Sequence, residues 1–105
     1  MRELTAPEVR ALLDAPAPPQ FLDVRNASEV EIASVVGATH IPMGEVPARL
    51  AELDPARSIV VMCHHGGRSR QVAMLLERNG FAQVINLSGG IAAWSELVDP
   101  EVPQY

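Results

Sequence analysis

The sequence predicts an α/β domain of three layers, in which a parallel sheet lies between helices on both faces. Short apolar runs of strand length alternate with segments of helical periodicity along the chain. The run Ile59–Met62 is continuously apolar and rich in β-branched residues, as expected of a central parallel strand that is covered on both faces. A length of 105 residues suits one domain, and we expect it to span residues 1–105.

The first half of the chain predicts two short helices and two short strands. Residues 5–8 (T-A-P-E) have the spacing of a capping box and open a helix through about Leu13, which the proline-rich stretch 15–19 ends. Residues 21–24 follow as a short buried strand. Residues 26–29 (N-A-S-E) repeat the capping-box spacing and begin a second helix. A brief strand is expected at about 39–41, and it ends there because Pro42 cannot continue it.

The second half predicts three helices around two strands. Residues 45–53 suit an amphipathic helix with Val46, Leu50 and Leu53 on one face. After the strand Ile59–Met62, a helix is expected from Ser69 to about Asn79, with a glycine as its C-terminal cap. Val84–Leu87 is the next strand, and residues 91–97 form a last helix after a tight S-G-G turn.

Composition narrows the classes of function. A net charge of −5 argues against nucleic acid or an anionic membrane as the main partner, and no apolar run approaches the length of about 20 residues that a membrane span needs. All eight basic residues are arginine, which excludes Schiff-base chemistry on a lysine side chain. The one cysteine cannot form an internal disulfide, which fits a cytoplasmic protein.

That cysteine, Cys63, lies between the central strand and a helix and is the expected nucleophile. Gly66 and Gly67 let the backbone curl, so that successive N–H groups form a nest for an anion. Ser69 is the expected N-cap of a helix whose positive dipole end points at the sulfur, and Arg68 adds a full charge. Such electropositive sites lower the pKa of a thiol from about 8.5 to roughly 3.5–7.5.

Four further polar side chains near predicted strand ends have simpler interpretations. His64 and His65 could suggest a metal site, but consecutive residues in a tight loop rarely point at one ion, so we expect them at the rim of a pocket. We predict neither a metal ion nor a cofactor. Asp23 and Arg25 are expected to form a structural ion pair or hydrogen-bond anchor beside the site, rather than an acid and a base.

Several motifs together resemble a known family in order and spacing. They are F-L-D-V-R at 21–25, G-A-T-H-I-P at 37–42, C-H-H-G-G-R-S at 63–69, G-F at 80–81 and S-G-G-I-A-A-W at 88–94. This set resembles a single-domain rhodanese-like sulfurtransferase over nearly the whole chain. The resemblance implies a sheet of about five parallel strands between helices. It also implies that Cys63 carries a persulfide in a loop formed by His64 to Ser69.

The resemblance further implies a double displacement. Cys63 takes the outer sulfur of thiosulfate or a related small donor, and a second nucleophile then removes it. That acceptor is cyanide in an assay, or a thiol in the cell, including the thiol of a protein. Sulfite leaves as a stable anion, so the site needs electrostatic stabilisation more than a general acid.

Two other functions stay open at this point. A protein phosphatase or arsenate reductase also uses a loop cysteine and an arginine, but its loop places five residues between them, whereas four separate Cys63 from Arg68. The shorter loop favours a sulfur atom over a phosphate, because one residue spans up to about 3.6 Å of chain. A persulfide carrier or regulatory binding module with little free turnover shares the same loop, and the sequence does not separate it from an enzyme.

Overall fold

The computed structural model, which describes residues 1–105, contains strands and helices that alternate along the chain. The strands are β1 (Arg2–Leu4), β2 (Gln20–Asp23), β3 (Thr39–His40), β4 (Ile59–Met62) and β5 (Val84–Leu87). The α-helices are α1 (Ala6–Leu13), α2 (Ala27–Ile32), α3 (Gly67–Arg78) and α4 (Gly90–Leu97). Two 3₁₀ helices, Met43–Glu45 and Pro47–Glu52, lie between β3 and β4.

The five strands form one parallel sheet in the order β1-β5-β4-β2-β3. Helices α1 and α4 cover one face, where Trp94 packs in a cluster with Val60 and Met62 of β4. Helix α3 covers the other face, where Leu76 packs in a cluster with Ile59 and Val61. All four β4 side chains are buried because β4 is central and both of its faces are covered. The predicted three-layer α/β fold is confirmed.

Local signals in the sequence account for most of the elements. Thr5 caps α1 through the predicted box: its hydroxyl accepts the Glu8 N–H at 3.3 Å, and Glu8 Oε1 accepts the Thr5 N–H at 2.9 Å. The strands Ile59–Met62 and Val84–Leu87 have the predicted bounds. Strand β1 was not predicted at any residue, because it has three residues and pairs only with β5 at the sheet edge.

Two predicted helix features are wrong. The segment 45–53 is not one amphipathic helix: Pro47 lacks an N–H and begins a separate 3₁₀ helix, in which Arg49 has non-helical angles. Ser69 is not the N-cap of α3. Gly66, at a φ of 111°, takes that position, so the helix begins at Gly67 and Ser69 lies buried inside its first turn.

Helix α4 begins against the back of the loop that follows β4. The N–H of Ile91 donates to the Cys63 carbonyl at 2.9 Å, and the N–H of Ala92 donates to the His64 carbonyl at 3.1 Å. These bonds satisfy N–H groups that a helix start leaves without an intrahelical partner. Gly90 makes the approach possible: it has a φ of +59°, and a Cβ there would lie 2.4 Å from the His64 carbonyl oxygen. The loop is therefore held by backbone atoms of α4.

We expect Gly90→Ala to destabilise the fold by about 2–4 kcal/mol, because it adds a left-handed alanine and a clash with backbone. Gly44→Ala is the matched control, since a Cβ at Gly44 meets nothing within 4 Å. The control should change stability by less than about 0.5 kcal/mol. Urea unfolding of both variants measures the difference, and equal stabilities would contradict the close approach.

Candidate active site

Cys63 directly follows the central strand β4 and is only 1% exposed. The loop bends back at Gly66, so that the Gly66 N–H donates to Cys63 Sγ at 3.0 Å. Gly67 does not share this conformation: it is the first residue of α3, and its φ is not positive. The expectation that both glycines curl the loop is therefore wrong for Gly67, because Gly66 alone makes the turn.

Several donors converge on the Cys63 sulfur. The Ser69 hydroxyl lies 3.3 Å from Sγ, beside the Gly66 N–H, and the backbone N–H groups of Ser69 and His65 also act to lower the pKa of the thiol. Burial raises the pKa of this thiol, but these hydrogen bonds outweigh burial, so that its pKa lies below the ordinary value. The site therefore stabilises a sulfur anion chiefly with neutral donors.

A buried amide behind the loop was missed by the sequence analysis. Asn86 of β5 is fully buried, and its Oδ1 lies 2.5 Å from Ser69 Oγ. Its Nδ2 donates to the Gly66 carbonyl at 3.1 Å and to the Glu3 carboxylate at 3.0 Å. The available signal was one amide in the otherwise apolar strand V-I-N-L, since a buried amide needs partners. Asn86 thus joins Ser69, the loop backbone and β1.

Arg68 lies in the first turn of α3 and binds a carboxylate of α2. Its Nη1 donates to Glu29 Oε1 at 2.6 Å, and its Nη2 donates to Glu29 Oε2 at 2.9 Å. These bonds are the main reason that the pKa of Glu29 falls to about 2, although burial opposes them. The Arg68 side chain keeps 35% of its surface exposed. The guanidinium is therefore at the surface beside the loop, with its charge matched by Glu29.

Asp23 and Arg25 form a bidentate ion pair at the carboxyl end of β2. The Arg25 guanidinium is fully buried and donates to Asp23 Oδ2 at 2.7 Å and Asp23 Oδ1 at 2.9 Å. It also donates to the Ala33 carbonyl at 2.7 Å and to the Tyr105 hydroxyl at 2.9 Å. The pair thus fixes the end of α2 and the segment 98–105 relative to the sheet.

His64 and His65 lie beside an open cavity of about 190 Å³. The Tyr105 ring stacks on His64 with centroids 3.8 Å apart and planes 8° apart, and its hydroxyl donates to Glu29 at 2.7 Å. Burial and the neighbouring His65 lower the pKa of His64. Besides these two histidines and Tyr105, the cavity is lined by Ile91, Ala92, Glu96, Pro103 and Gln104. Tyr105 was not singled out from the sequence, because no local pattern indicates that the segment 98–105 reaches this loop.

Two further features bear on the classes of function. No group of three or more His, Cys, Asp or Glu side chains is arranged to hold a metal ion. No helix combines the length and the apolar character that crossing a membrane requires.

Residues 5–97, which include the loop and every element from α1 to α4, match the family model described as Rhodanese-like domain. The chain belongs to the rhodanese-like family. It is 34% identical to "Sulfurtransferase" from Allochromatium vinosum, over 77% of this chain and 79% of that protein. It also resembles the crystal structure of a rhodanese-like domain protein from Staphylococcus aureus, with a TM-score of 0.86, 30% identity, and 100% and 99% of the two chains covered.

Other relatives of this rhodanese-like domain are longer proteins. "Putative sulfur carrier protein YrkF" from Bacillus subtilis is 36% identical over 89% of this chain, which spans 50% of that protein. This chain is 35–42% identical to four curated relatives, and it spans only 23–50% of the length of each. The family therefore includes sulfurtransferases and sulfur carriers, and the domain occurs within larger proteins as well as in ones of its own size.

The ion pair between Arg68 and Glu29 makes the stability of this rhodanese-like domain depend on pH. Because the folded pKa of Glu29 is depressed from 4.5 to about 2, its contribution is complete above about pH 4.5 and is lost as the pH falls towards 2. We expect Arg68→Met to have a lower free energy of unfolding than the wild type at neutral pH. Its free energy of unfolding should also fall less than that of the wild type between about pH 4.5 and pH 2. Arg78→Met, an exposed arginine of the same helix, is the control.

Denaturant unfolding at a series of pH values measures this difference. Parallel curves for the wild type and Arg68→Met, offset by a constant amount down to about pH 2, would contradict the role of the ion pair.

Proposed function

We propose that this rhodanese-like domain is a sulfurtransferase that moves a sulfane sulfur from thiosulfate or a related donor to an acceptor thiol through a persulfide on Cys63. The observation that carries the proposal is the set of donors around Sγ, with the Gly66 N–H at 3.0 Å and the Ser69 hydroxyl at 3.3 Å. Such donors stabilise a sulfur anion without supplying a proton.

In the first step, the Cys63 thiolate attacks the outer sulfur of thiosulfate. A new S–S bond forms to Sγ while the S–S bond of the donor breaks, and sulfite leaves with the electron pair. The product is Cys63 with one additional, anionic sulfur. The backbone N–H groups of His65, Gly66 and Ser69 are suited to hold that negative charge.

In the second step, an acceptor thiolate attacks the outer sulfur of the persulfide. The bond between that sulfur and Sγ breaks, the acceptor becomes a persulfide, and Cys63 returns as a thiolate. Cyanide serves as the acceptor in an assay and leaves as thiocyanate. Neither step requires the enzyme to supply or remove a proton. Asp23 and Arg25 are therefore assigned a supporting role and no acid–base role.

Arg68 is proposed to orient the anionic end of the donor. Its guanidinium is next to the loop and partly exposed, but Glu29 holds two of its donors. A sulfonate oxygen of thiosulfate therefore competes with the Glu29 carboxylate or uses the remaining N–H groups of Arg68. His64 and His65 are proposed to form the rim that the acceptor meets.

A persulfide carrier with little free turnover is the second candidate. One observation favours it: a relative bears the name of a putative sulfur carrier protein. In that case the acceptor is a protein thiol. The phosphatase or arsenate reductase alternative gains no such support.

A single free thiol suits a reducing compartment, so we propose a cytoplasmic site of action.

Intact mass after incubation with thiosulfate tests the persulfide. We expect the mass of one additional sulfur atom, which cyanide removes and which Cys63→Ala does not acquire. Unchanged mass of the wild type in the absence of reducing agents would refute sulfur transfer from this donor.

Steady-state turnover with cyanide separates the two candidates. Rapid turnover supports the enzyme, whereas a stable persulfide with slow turnover supports the carrier.

Paired substitutions test the role of Arg68. Arg68→Gln removes the charge, and we expect the KM for thiosulfate to rise at least about threefold. Glu29→Gln keeps the side-chain shape but releases the guanidinium, so KM should fall. Arg78→Gln, on the exposed side of α3, is the control and should leave KM unchanged. If KM is the same in all three variants, Arg68 does not orient the donor.

A further inference from the structure

The amide of Asn86 has one possible orientation. Its two Nδ2 hydrogens point to the Gly66 carbonyl and to the Glu3 carboxylate, both of which only accept hydrogen bonds. Its Oδ1 therefore faces Ser69 Oγ, 2.5 Å away. Because an amide oxygen cannot donate, the hydrogen in this contact belongs to the Ser69 hydroxyl.

A serine hydroxyl has only one hydrogen, and two acceptors lie near Ser69 Oγ. Asn86 Oδ1 is at 2.5 Å and Cys63 Sγ is at 3.3 Å. When the hydrogen points to Asn86, a lone pair of Oγ faces the sulfur. That lone pair accepts from a neutral S–H group, but it repels a thiolate.

Ionisation of Cys63 therefore requires a change in this chain of hydrogen bonds. The hydroxyl must turn towards the sulfur, which leaves Asn86 Oδ1 without the donor that it had. Asn86 and Ser69 are both fully buried, so water does not readily replace that donor. The amide and the sulfur anion are thus in competition for one hydrogen.

We propose that Asn86 is a positioning residue for the reaction of Cys63, because its side-chain oxygen competes with the sulfur for the single hydroxyl hydrogen of Ser69. Asn86 opposes ionisation of the sulfur by binding this hydrogen, and the Ser69 hydroxyl turns to the sulfur when the sulfur carries a negative charge. The role rests on the proposed function for its biological meaning, but the competition is a property of the thiol alone.

Asn86→Leu is the informative variant, since it removes the competing oxygen and approximately keeps the side-chain size. It leaves no buried group without a partner: the Gly66 carbonyl still accepts the Arg70 N–H at 3.2 Å, and Glu3 still binds the Arg70 side chain at 2.7 Å. The Ser69 hydroxyl then has Cys63 Sγ as its remaining acceptor. A branched apolar side chain also fits the strand V-I-N-L.

Other charges near the thiol remain in place in this variant. The titratable side chains around it are Glu3, Asp23, Arg25, Glu29, His64, His65, Arg68, Arg70 and Tyr105. Arg68 is paired with Glu29, Arg70 is paired with Glu3, and Asp23 is paired with Arg25. Glu3 loses its hydrogen bond from Asn86 but keeps Arg70, and this loss is the same with and without the Ser69 hydroxyl. The difference between the two backgrounds therefore reports the hydroxyl hydrogen.

The test is the rate of alkylation of Cys63 by iodoacetamide as a function of pH, which requires no sulfur donor. We expect Asn86→Leu to lower the midpoint of this titration by about one pH unit. In a Ser69→Ala background, the same substitution should shift the midpoint by less than about 0.3 unit. This double-mutant cycle isolates the shared hydrogen, because loosening of the loop would raise the midpoint in both backgrounds.

An unchanged or raised midpoint in Asn86→Leu would overturn the proposal, as would an equal decrease with and without the Ser69 hydroxyl. Circular dichroism verifies that each variant is folded, and Asn86→Val replaces Asn86→Leu if the latter does not fold. Failure of thiosulfate to load the wild type would refute the proposed function without affecting this result. Conversely, a normal persulfide with no coupling in the cycle would refute the role of Asn86 alone.

Discussion

The close contact between α4 and the loop after β4 is the constraint on which the site depends. At Gly90, two backbones approach so closely that no side chain fits, and the N–H groups of Ile91 and Ala92 bind the carbonyls of Cys63 and His64. With those carbonyls held from behind, the N–H groups of the loop are free to face the sulfur. The geometry of the nucleophile is thus set by a helix that contributes no side chain to the contact.

A network of charges fixes the other side of the loop. Glu29 receives Arg68 from α3 and Tyr105 from the segment 98–105, while Arg25 joins Asp23, Ala33 and the same tyrosine. No buried side-chain nitrogen or oxygen lacks a hydrogen-bond partner. Burying a guanidinium carries a desolvation cost, so the full set of partners matters more than any one pair. Removal of the Asp23 carboxylate would leave the buried charge of Arg25 uncompensated.

The sequence was sufficient to predict several features whose determining interaction is local. The capping box at Thr5, the apolar strand Ile59–Met62 and the position of Cys63 at a strand end depend on neighbours within a few residues. Local reasoning failed at Ser69, because it did not consider that a positive φ at Gly66 would start α3 earlier. It failed again at Pro47, which was included in a helix that its missing N–H interrupts.

The remaining parts of the site could not be read from local patterns, because they join distant segments. Arg68 and Glu29 are 39 residues apart, and Ser69 and Asn86 are 17 apart. The family resemblance indicated the loop and the nucleophile, but not which carboxylate would bind Arg68 or which amide would lie behind Ser69. Such pairings follow from strand order and register, which a single sequence specifies only through the complete fold.

The strand order has a consequence for how the reactive centre comes into existence. Because β1 pairs with β5, Glu3 reaches Asn86 across 83 residues of sequence, and the environment behind the cysteine is complete only when these strands have met. Contacts of such high sequence separation form late, since the chain must first lose the entropy of closing the intervening loop. A thiol with native reactivity is therefore a reporter of completed assembly of the sheet, whereas helical content alone is not.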